Sequence, residues 1–336
     1  MSRVSVIGAG AWGTALAISL GRQTGHVTRL WANEPDVVAS VTRSRVNERF
    51  LPGFEIPSSV DATNDLAAAV DGAEIVVSVM PSQYCRALFE RLGPLLSRET
   101  LVVSCTKGLE NGTLLRMSEV IEETLRRQKF TPRVGALSGP SFAKEVARGD
   151  PTAVTIASSD SELARWVQQA FNSSRFRVYT NDDVIGVELG GALKNIIAIA
   201  AGICHGLDLG HNSVAALITR GLAEIARLVV ACGGRLDTMA GLAGLGDLVL
   251  TCTGDLSRNR SVGVELGKGR RLTEIIDAMH GAVAEGVFTT KAAVGLARKK
   301  NVEMPITEQM FAILEQGKPP QQAIEELMTR AARAES

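Results

Sequence analysis

A single lysine, Lys194, stands in a largely apolar segment of small residues that spans residues 187–202. The segment is long enough for about four helical turns. On a helix, the face of Lys194 carries residues with almost no side chain at i−4, i−3, i+4 and i+7: Gly190, Gly191, Ala198 and Ala201. Another group can therefore approach this face closely, and an ammonium group there is partly desolvated unless a partner or ligand meets it. The alternative is a helix-packing face whose lysine extends to water.

A second candidate is Asp247, the one carboxylate in a glycine-rich apolar segment at residues 241–253. On a helix it shares a face with Thr251 at i+4. A carboxylate in apolar surroundings usually needs a cation. The sequence therefore predicts a charged partner for Asp247, with a helix N-cap as the alternative.

A third candidate is the segment Ser257-Arg258-Asn259, which precedes a helical run. Ser257 or Asn259 could cap that helix, and Arg258 beside a helix N-terminus would form a phosphate pocket. The alternative is a charged turn.

A glycine loop supplies the first clue to a cofactor. The sequence GAGAWG at residues 8–13 follows a predicted strand and precedes a helical segment and a second strand. In the dinucleotide-binding fingerprint, Gly8 permits the tight turn, Gly10 lets the backbone approach a pyrophosphate, and Gly13 lets the helix pack on the strand. The helix N-terminus adds N–H donors.

The end of the second strand does not decide between NAD and NADP. A carboxylate at this position usually binds the ribose hydroxyls of NAD, whereas an arginine accepts the NADP phosphate. Here Asn33 is neutral and Glu34 follows, while three arginines lie nearby in sequence: Arg29, Arg43 and Arg45.

The elements that must position these residues alternate over the first part of the chain, which predicts a doubly wound, mostly parallel α/β sheet. The predicted strands are residues 4–7, 26–31, 74–80, 100–105, 133–137, 152–157 and 176–179. Predicted helices include residues 83–96, 114–127 and 161–171, with a short helix ending at 148. Ligands bind at the carboxyl ends of such strands. Lys107 and the segment 138–141 follow strands and are therefore candidate ligand contacts, with a solvated loop lysine and a helix start as the alternatives.

From residue 182 onward only helical periodicity appears. The predicted helices are residues 184–205, 212–232, 236–252, 258–267, 272–279, 289–300, 306–316 and 320–334. The sequence thus predicts two domains, a Rossmann-type domain at residues 1–181 and an all-α substrate domain at residues 182–336.

Composition excludes several classes of protein. Lys plus Arg (36) balances Asp plus Glu (36) over 336 residues, so no basic field favours nucleic acid or an anionic membrane. The five cysteines are scattered without metal-ligand spacing, which favours a reducing compartment over disulfides or zinc. We expect no metal, no membrane span, no signal peptide, and a cytoplasmic location.

The motifs together resemble the family of NAD(P)-dependent glycerol-3-phosphate dehydrogenases, in its bacterial soluble form. Matching segments follow one another in order over nearly the whole chain: residues 8–13, 106–110, 138–143, 191–202, 244–253, 257–260, 283–286 and 304–307. The resemblance implies reversible hydride transfer between NAD(P)H and dihydroxyacetone phosphate, giving sn-glycerol 3-phosphate for phospholipid synthesis.

The resemblance also implies roles for particular residues. Lys194 becomes the proton-transferring residue. Substrate contacts are expected at Lys107, Gly139, Ser141, Lys194, Asn195, Asp247, Thr251, Ser257, Arg258 and Asn259. Cofactor contacts are expected at Gly8, Gly10, Ala11, Trp12, Gly13, Asn33, Phe50, Lys107, Ala143, Arg258, Val283 and Glu285.

Two positions depart from the family pattern. Asn33 stands where many relatives carry a basic residue, which weakens the NADPH preference expected of bacterial members, and Phe50 stands where several carry Tyr. The apolar helical domain favours a homodimer. Two other functions remain open at this point: a β-hydroxyacid or 6-phosphogluconate type of dehydrogenase, and a non-catalytic NAD(P)-sensing regulator.

Overall fold

The N-terminal part of the chain folds around an eight-stranded sheet. A computed structural model describes residues 2–129, 131–279, 283–332 and 334. The strands are β1 (Ser2–Ile7), β2 (His26–Trp31), β3 (Val46–Asn47), β4 (Leu51–Glu55), β5 (Val60–Thr63), β6 (Ile75–Ser78), β7 (Leu101–Ser104), β8 (Arg133–Ser138), β9 (Thr152–Ala157) and β10 (Phe176–Asn181). The main sheet has the order β10-β9-β8-β7-β6-β1-β2-β5, and each neighbouring pair is parallel except β8 with β9.

Helices cover both faces of this sheet and then form the rest of the chain. They are α1 (Ala11–Gly21), α2 (Pro35–Ser44), α3 (Leu66–Val70), α4 (Cys85–Leu92), α5 (Met117–Arg127), α6 (Ala143–Arg148), α7 (Ser161–Phe171), α8 (Val184–Gly206), α9 (His211–Ala231), α10 (Asp247–Thr253), α11 (Arg258–Gly267), α12 (Leu272–Ala278), α13 (Glu285–Lys300), α14 (Pro305–Gln316) and α15 (Pro320–Met328). The predicted fold class, a mostly parallel sheet followed by a helical domain, is confirmed.

Several predicted elements differ in detail. Residues 35–70, for which the sequence predicted no elements, form α2, α3 and three short strands, β3 to β5. The predicted helix 236–252 is wrong as one element. A 3₁₀ turn (Asp237–Ala240) and a π-helical turn (Leu242–Gly246) precede α10. Three glycines in this segment favour irregular backbone over a regular helix. The predicted helix 320–334 ends earlier, and residue 333 lies outside the described residues.

The sheet order brings four ligand-facing segments to one edge. The parallel strands β8, β7, β6 and β1 are successive neighbours, so their carboxyl ends lie side by side. At about 4.8 Å per strand, the row from β1 to β8 spans roughly 14 Å. The segments that follow these strands, beginning at Gly8, Val79, Cys105 and Gly139, therefore share one crevice.

The helical part is built around α8. Asp183 caps this helix, because its side chain accepts a hydrogen bond from the Gly186 N–H at 2.9 Å. By length and composition α8 alone, among the described residues, could cross a membrane, but 89% of its most apolar window is buried inside the protein. That burial identifies it as the core helix of this domain, with α9, α10, α11 and α13 packed on it.

Two glycines allow α8 and α11 to cross closely. A Cβ on Gly202 would lie 2.0 Å from the Arg260 carbonyl oxygen, and one on Gly263 would lie 1.9 Å from the Ile199 carbonyl oxygen. Neither position can carry a side chain without separating the helices. The predicted domain boundary at residue 181 falls between β10 and α8 and stays a prediction.

Candidate active site

A carboxylate and two lysines form the charged centre of the site. Lys194 on α8 donates to Asp247 Oδ1 at 2.5 Å, and Lys107, which follows β7, donates to Asp247 Oδ2 at 2.7 Å. The Asp247 side chain is 1% exposed, Lys194 7% and Lys107 19%. The centre therefore carries one net positive charge with all three groups ionised, and a developing negative charge is stabilised there.

Thr251 and Gly139 complete this centre. Lys194 donates to Thr251 Oγ1 at 2.6 Å, and the Thr251 hydroxyl donates in turn to the Asp247 carbonyl oxygen at 2.6 Å. Lys107 donates to the Gly139 carbonyl oxygen at 3.2 Å. An ammonium group has three donors. Each lysine thus uses two on the protein and keeps one N–H for a ligand.

Burial and neighbouring charges set the protonation of the pair. Burial lowers the pKa of Lys194 to about 8, with Lys107 adding to this effect, although the Asp247 carboxylate acts in the opposite direction. Burial alone would raise the pKa of Asp247, but Lys107 and Lys194 outweigh it and hold that pKa below its usual range. Lys194 can therefore exist as ammonium or amine near neutral pH, beside a carboxylate that stays ionised.

The small residues around Lys194 serve close packing more than open space. A Cβ on Gly191 would lie 2.5 Å from Ser138 Oγ, and one on Gly190 would lie 2.8 Å from the Ala243 carbonyl oxygen. Ala198 and Ala201 are buried in the helical core. These residues let β8 and the π-helical turn approach α8, which brings Asp247 to Lys194. The expected alternative, a lysine that extends to water, is wrong because the Lys194 side chain is only 7% exposed.

A second polar network lies one residue further along α8. Asn259 Nδ2 donates to Asn195 Oδ1 at 3.0 Å, and Asn259 Oδ1 accepts from the Gly286 N–H at 2.9 Å. Ser257 caps α11 by accepting from the Arg260 N–H at 3.2 Å. The predicted cap is thus Ser257, and Asn259 instead joins α8, α11 and α13.

Arg258 occupies the first turn of α11 and is exposed to solvent. Within the described part of the chain, no hydrogen bond or ion pair engages its guanidinium group. Partial desolvation by the neighbouring protein lowers the pKa of this group, and Glu285 acts in the opposite direction. A guanidinium with unused donors at a helix N-terminus is suited to an anionic group such as a phosphate.

Ser82 lies in a strand-end segment, residues 80–84, that the sequence placed at the ligand-binding edge of the sheet, but no role was predicted for the residue itself. Its N–H donates to Glu285 Oε1 at 3.1 Å and its hydroxyl donates to Glu285 Oε2 at 2.8 Å. Burial raises the pKa of Glu285 to about 7, while Ser82 and Arg258 act to lower it. The contact joins the segment after β6 to the start of α13. The two partners lie 203 positions apart in sequence, so no local pattern could have revealed this contact.

The glycine loop fits a dinucleotide. Gly8 has φ +119, and a Cβ there would lie 2.0 Å from the Val79 carbonyl oxygen. A Cβ on Gly13 would lie 1.9 Å from the Gly8 carbonyl oxygen, whereas one on Gly10 would meet nothing within 4 Å. Gly8 and Gly13 are therefore required for packing, and Gly10 leaves open backbone at the N-terminus of α1, as a pyrophosphate requires. Ala11 and Trp12 form the first turn of α1 and are half-buried.

The remaining predicted residues lie in several separate segments of the chain. Ser141 donates to the Gly139 carbonyl oxygen at 2.9 Å, and Gly139 has φ +142. Ala143 begins α6 and Val283 precedes α13, each half-buried. Asn33 lies near the end of β2 and Phe50 lies before β4, and neither is hydrogen-bonded to Lys194.

Fold and site together define a nucleotide-dependent dehydrogenase, because a dinucleotide loop and a titratable lysine face one crevice. Two family profiles match the chain: the NAD-dependent glycerol-3-phosphate dehydrogenase N-terminus over residues 3–164, and the C-terminus of that family over residues 183–325. The chain belongs to the NAD-dependent glycerol-3-phosphate dehydrogenase family.

Individual proteins agree with this assignment. The chain is 67% identical to a glycerol-3-phosphate dehydrogenase [NAD(P)+] of Koribacter versatilis, covering 100% of this chain and 99% of that protein. It is 55% identical to the protein of that name from Acidobacterium capsulatum, with both chains covered completely. Among solved structures, glycerol-3-phosphate dehydrogenase from Coxiella burnetii matches with a TM-score of 0.93 at 44% identity, covering 98% of this chain and 99% of that one.

Proposed function

We propose that the chain catalyses reversible hydride transfer between NAD(P)H and dihydroxyacetone phosphate, giving sn-glycerol 3-phosphate for glycerophospholipid synthesis. One observation carries the chemistry: the buried Lys194 ammonium keeps one N–H unused beside Asp247, at the sheet edge that carries the glycine loop. Membership in the family supports the choice of substrate.

Three residues of the charged centre have distinct proposed roles in this reaction. When bound at Gly8–Gly13, the reduced nicotinamide cofactor supplies the hydride that reduces the ketone carbon. Lys194 Nζ gives a proton to the carbonyl oxygen as negative charge develops there, and solvent restores that proton afterwards. Lys107 offers its remaining N–H to the same region, and Asp247 holds both ammonium groups in place. In the reverse direction, the Lys194 amine takes the proton from the alcohol.

Arg258 is the proposed phosphate ligand, with Ser257 and Asn259 fixing the start of α11 around it. The support is its exposed guanidinium without a protein partner in the described residues, at a helix N-terminus. Gly139, Ser141, Asn195 and Thr251 are proposed to line the substrate region. Cofactor contacts are proposed at Ala11, Trp12, Asn33, Phe50, Ala143, Val283 and Glu285.

The decisive experiment measures turnover with several substrates. Purified protein should oxidise NADPH or NADH with dihydroxyacetone phosphate and show little turnover with 3-keto acids. In the oxidative direction, it should reduce NADP+ or NAD+ with glycerol 3-phosphate and show little turnover with 6-phosphogluconate. Arg258→Ala should raise the KM for dihydroxyacetone phosphate by roughly 10–100-fold, the size of a lost charge-assisted contact, and change turnover of unphosphorylated dihydroxyacetone much less. Equal losses with both ketones would refute the phosphate role.

Nucleotide binding without turnover of any of these substrates would instead support a sensing protein. Homodimer assembly and a cytoplasmic location stay predictions. The first is supported by the apolar helical domain, and the second by five cysteines that are all free in the structure.

A further inference from the structure

Of the three arginines near the end of β2 in sequence, two are engaged by the protein and the third lies away from that end. Arg29 donates to the carbonyl oxygens of Ala68 and Asp71 at 2.6 and 3.0 Å. Arg45 donates to the carbonyl oxygen of Ile56 at 3.1 Å and also to those of Pro57 and Val60. Arg43 lies in the last turn of α2, about 12 Å along the helix from its start. None of the three can serve a phosphate beside the end of β2.

A different arginine reaches this position. Arg49, on the segment between β3 and β4, donates to Asp36 Oδ1 and Oδ2 at 3.4 and 3.2 Å. Asp36 lies in the first turn of α2, three residues beyond Asn33. The Arg49 side chain is 46% exposed, so its guanidinium group can exchange the carboxylate partner for a ligand at modest cost, since an exposed ion pair contributes little.

The segment that carries Arg49 is fixed against the glycine loop. Asn47 Nδ2 donates to the Ala9 carbonyl oxygen at 2.8 Å and to Thr14 Oγ1 at 2.9 Å. Asn47 Oδ1 accepts from the Phe50 N–H at 3.1 Å. The Arg49 guanidinium carbon lies 5.1 Å from the centre of the Phe50 ring, within the range of a cation–π contact. The arginine is thus held between the cofactor loop and the end of β2.

We propose that Arg49 contacts the 2′-phosphate of NADP(H), and that its ion pair with Asp36 limits how strongly the chain prefers NADP(H) over NAD(H). In dinucleotide-binding folds an arginine near the end of the second strand accommodates this phosphate, whereas a carboxylate there accepts the ribose hydroxyls of NAD. In this chain an arginine, Arg49, and a carboxylate, Asp36, are in contact with each other near this position. Arg49 supplies, from another segment, the positive charge that Asn33 lacks. The inference rests on the proposed function only in placing the cofactor at Gly8–Gly13.

The test is calorimetric titration of the free protein with NADPH and with NADH. Arg49→Gln should raise the Kd for NADPH roughly tenfold and the Kd for NADH less than about twofold, as expected for loss of one charge-assisted contact. Asp36→Asn frees the guanidinium and should lower the Kd for NADPH by about two- to fivefold. Added salt should weaken NADPH binding in the wild type more than in Arg49→Gln.

Arg43→Gln is the matched control, because it removes the same charge from the far end of α2. If Arg49→Gln changes the Kd values for NADH and NADPH equally, the proposal is overturned. It is also overturned if Arg43→Gln raises the Kd for NADPH over that for NADH as much as Arg49→Gln does. Should Arg49→Gln fail to fold, Asp36→Asn decides alone, and unchanged or weaker NADPH binding there would also overturn it.

The outcomes separate this inference from the proposed function. Nucleotide discrimination that depends on Arg49, without turnover of dihydroxyacetone phosphate, contradicts only the proposed function. Normal turnover of dihydroxyacetone phosphate, together with a preference between NADPH and NADH that does not change in the Arg49 and Asp36 variants, contradicts only the inference.

Discussion

The protonation of Lys194 should appear as two opposite pH dependences of one enzyme. Its pKa is lowered by burial to about 8. Ketone reduction needs the ammonium form, so kcat/KM for dihydroxyacetone phosphate should fall above about pH 8, approaching tenfold per pH unit. Alcohol oxidation needs the amine, so kcat/KM for glycerol 3-phosphate should rise up to about pH 8 and then level.

Asp247→Asn tests the cause of this pKa. The carboxylate acts to raise the pKa of Lys194, whereas burial and Lys107 lower it. An opposite charge in direct contact shifts a pKa by about 1–3 units. Its loss should therefore move the pH dependence of kcat/KM to lower pH by that amount in both reaction directions. The variant also leaves two ammonium groups without their shared partner, and breaking such a buried pair costs about 3–5 kcal/mol of folding stability.

The assay is the initial rate in both directions, followed by the absorbance of the reduced nicotinamide between about pH 6 and pH 10, on variants verified as folded by circular dichroism. Lys194→Met, which keeps the length of the side chain without an ionisable group, should lose the limb near pH 8 together with roughly 10²–10⁴-fold of kcat. Limbs that run in the same direction in both reactions would refute the reasoning. So would an Asp247→Asn variant that is active and titrates like the wild type.

Two further predictions concern contacts between distant segments. Ser82→Ala removes a hydrogen bond that favours ionised Glu285, so the pKa of that carboxyl should rise and cofactor Kd should worsen about three- to tenfold near pH 7 but less near pH 9. Ser82→Thr should restore the pH dependence, whereas a loss that is equal at both pH values would mean that Ser82 is purely structural. Gly263→Ala should lower the free energy of unfolding by about 2 kcal/mol or more, because its Cβ would lie 1.9 Å from the Ile199 carbonyl oxygen. Gly295→Ala is the control, because the three atoms nearest to its Cβ would all belong to the Leu114 side chain, which can move. In urea unfolding it should change stability by less than about 1 kcal/mol, and equal effects of both changes would contradict the packing argument.

Local patterns in the sequence were sufficient for much of the fold and for half of the charged centre. The strand and helix periods predicted β2, β9, α7 and α11 to the residue, because these elements have clear alternation or clear ends. The need of Asp247 for a cation followed from its apolar surroundings, and its shared face with Thr251 followed from spacing.

The rest depended on which distant segments meet. Lys107 reaches Asp247 across 140 residues and Ser82 reaches Glu285 across 203, so spacing carries no information about either contact. The sequence predicted that another group approaches α8 closely at Gly190 and Gly191, because glycine has no side chain. Which group does so depends on how α8 packs against β8 and the π-helical turn. Arg49 was not indicated because the end of β2 is completed by a segment that follows α2.

The arrangement of one carboxylate between two lysines suits a reaction that runs in both directions. Burial without Asp247 would hold Lys194 as the amine at neutral pH, and the lysine could not then give a proton to the alkoxide. Contact with Asp247 in the absence of burial and of Lys107 would hold it as the ammonium, and it could not then accept a proton from the alcohol. These opposing causes leave the pKa at about 8, where both forms are populated under physiological conditions. Thr251 preserves the balance, because its proton is committed to the Asp247 carbonyl oxygen and its oxygen can only accept from Lys194. The third N–H of the lysine is thereby left for a ligand, and we propose that the ketone oxygen accepts it.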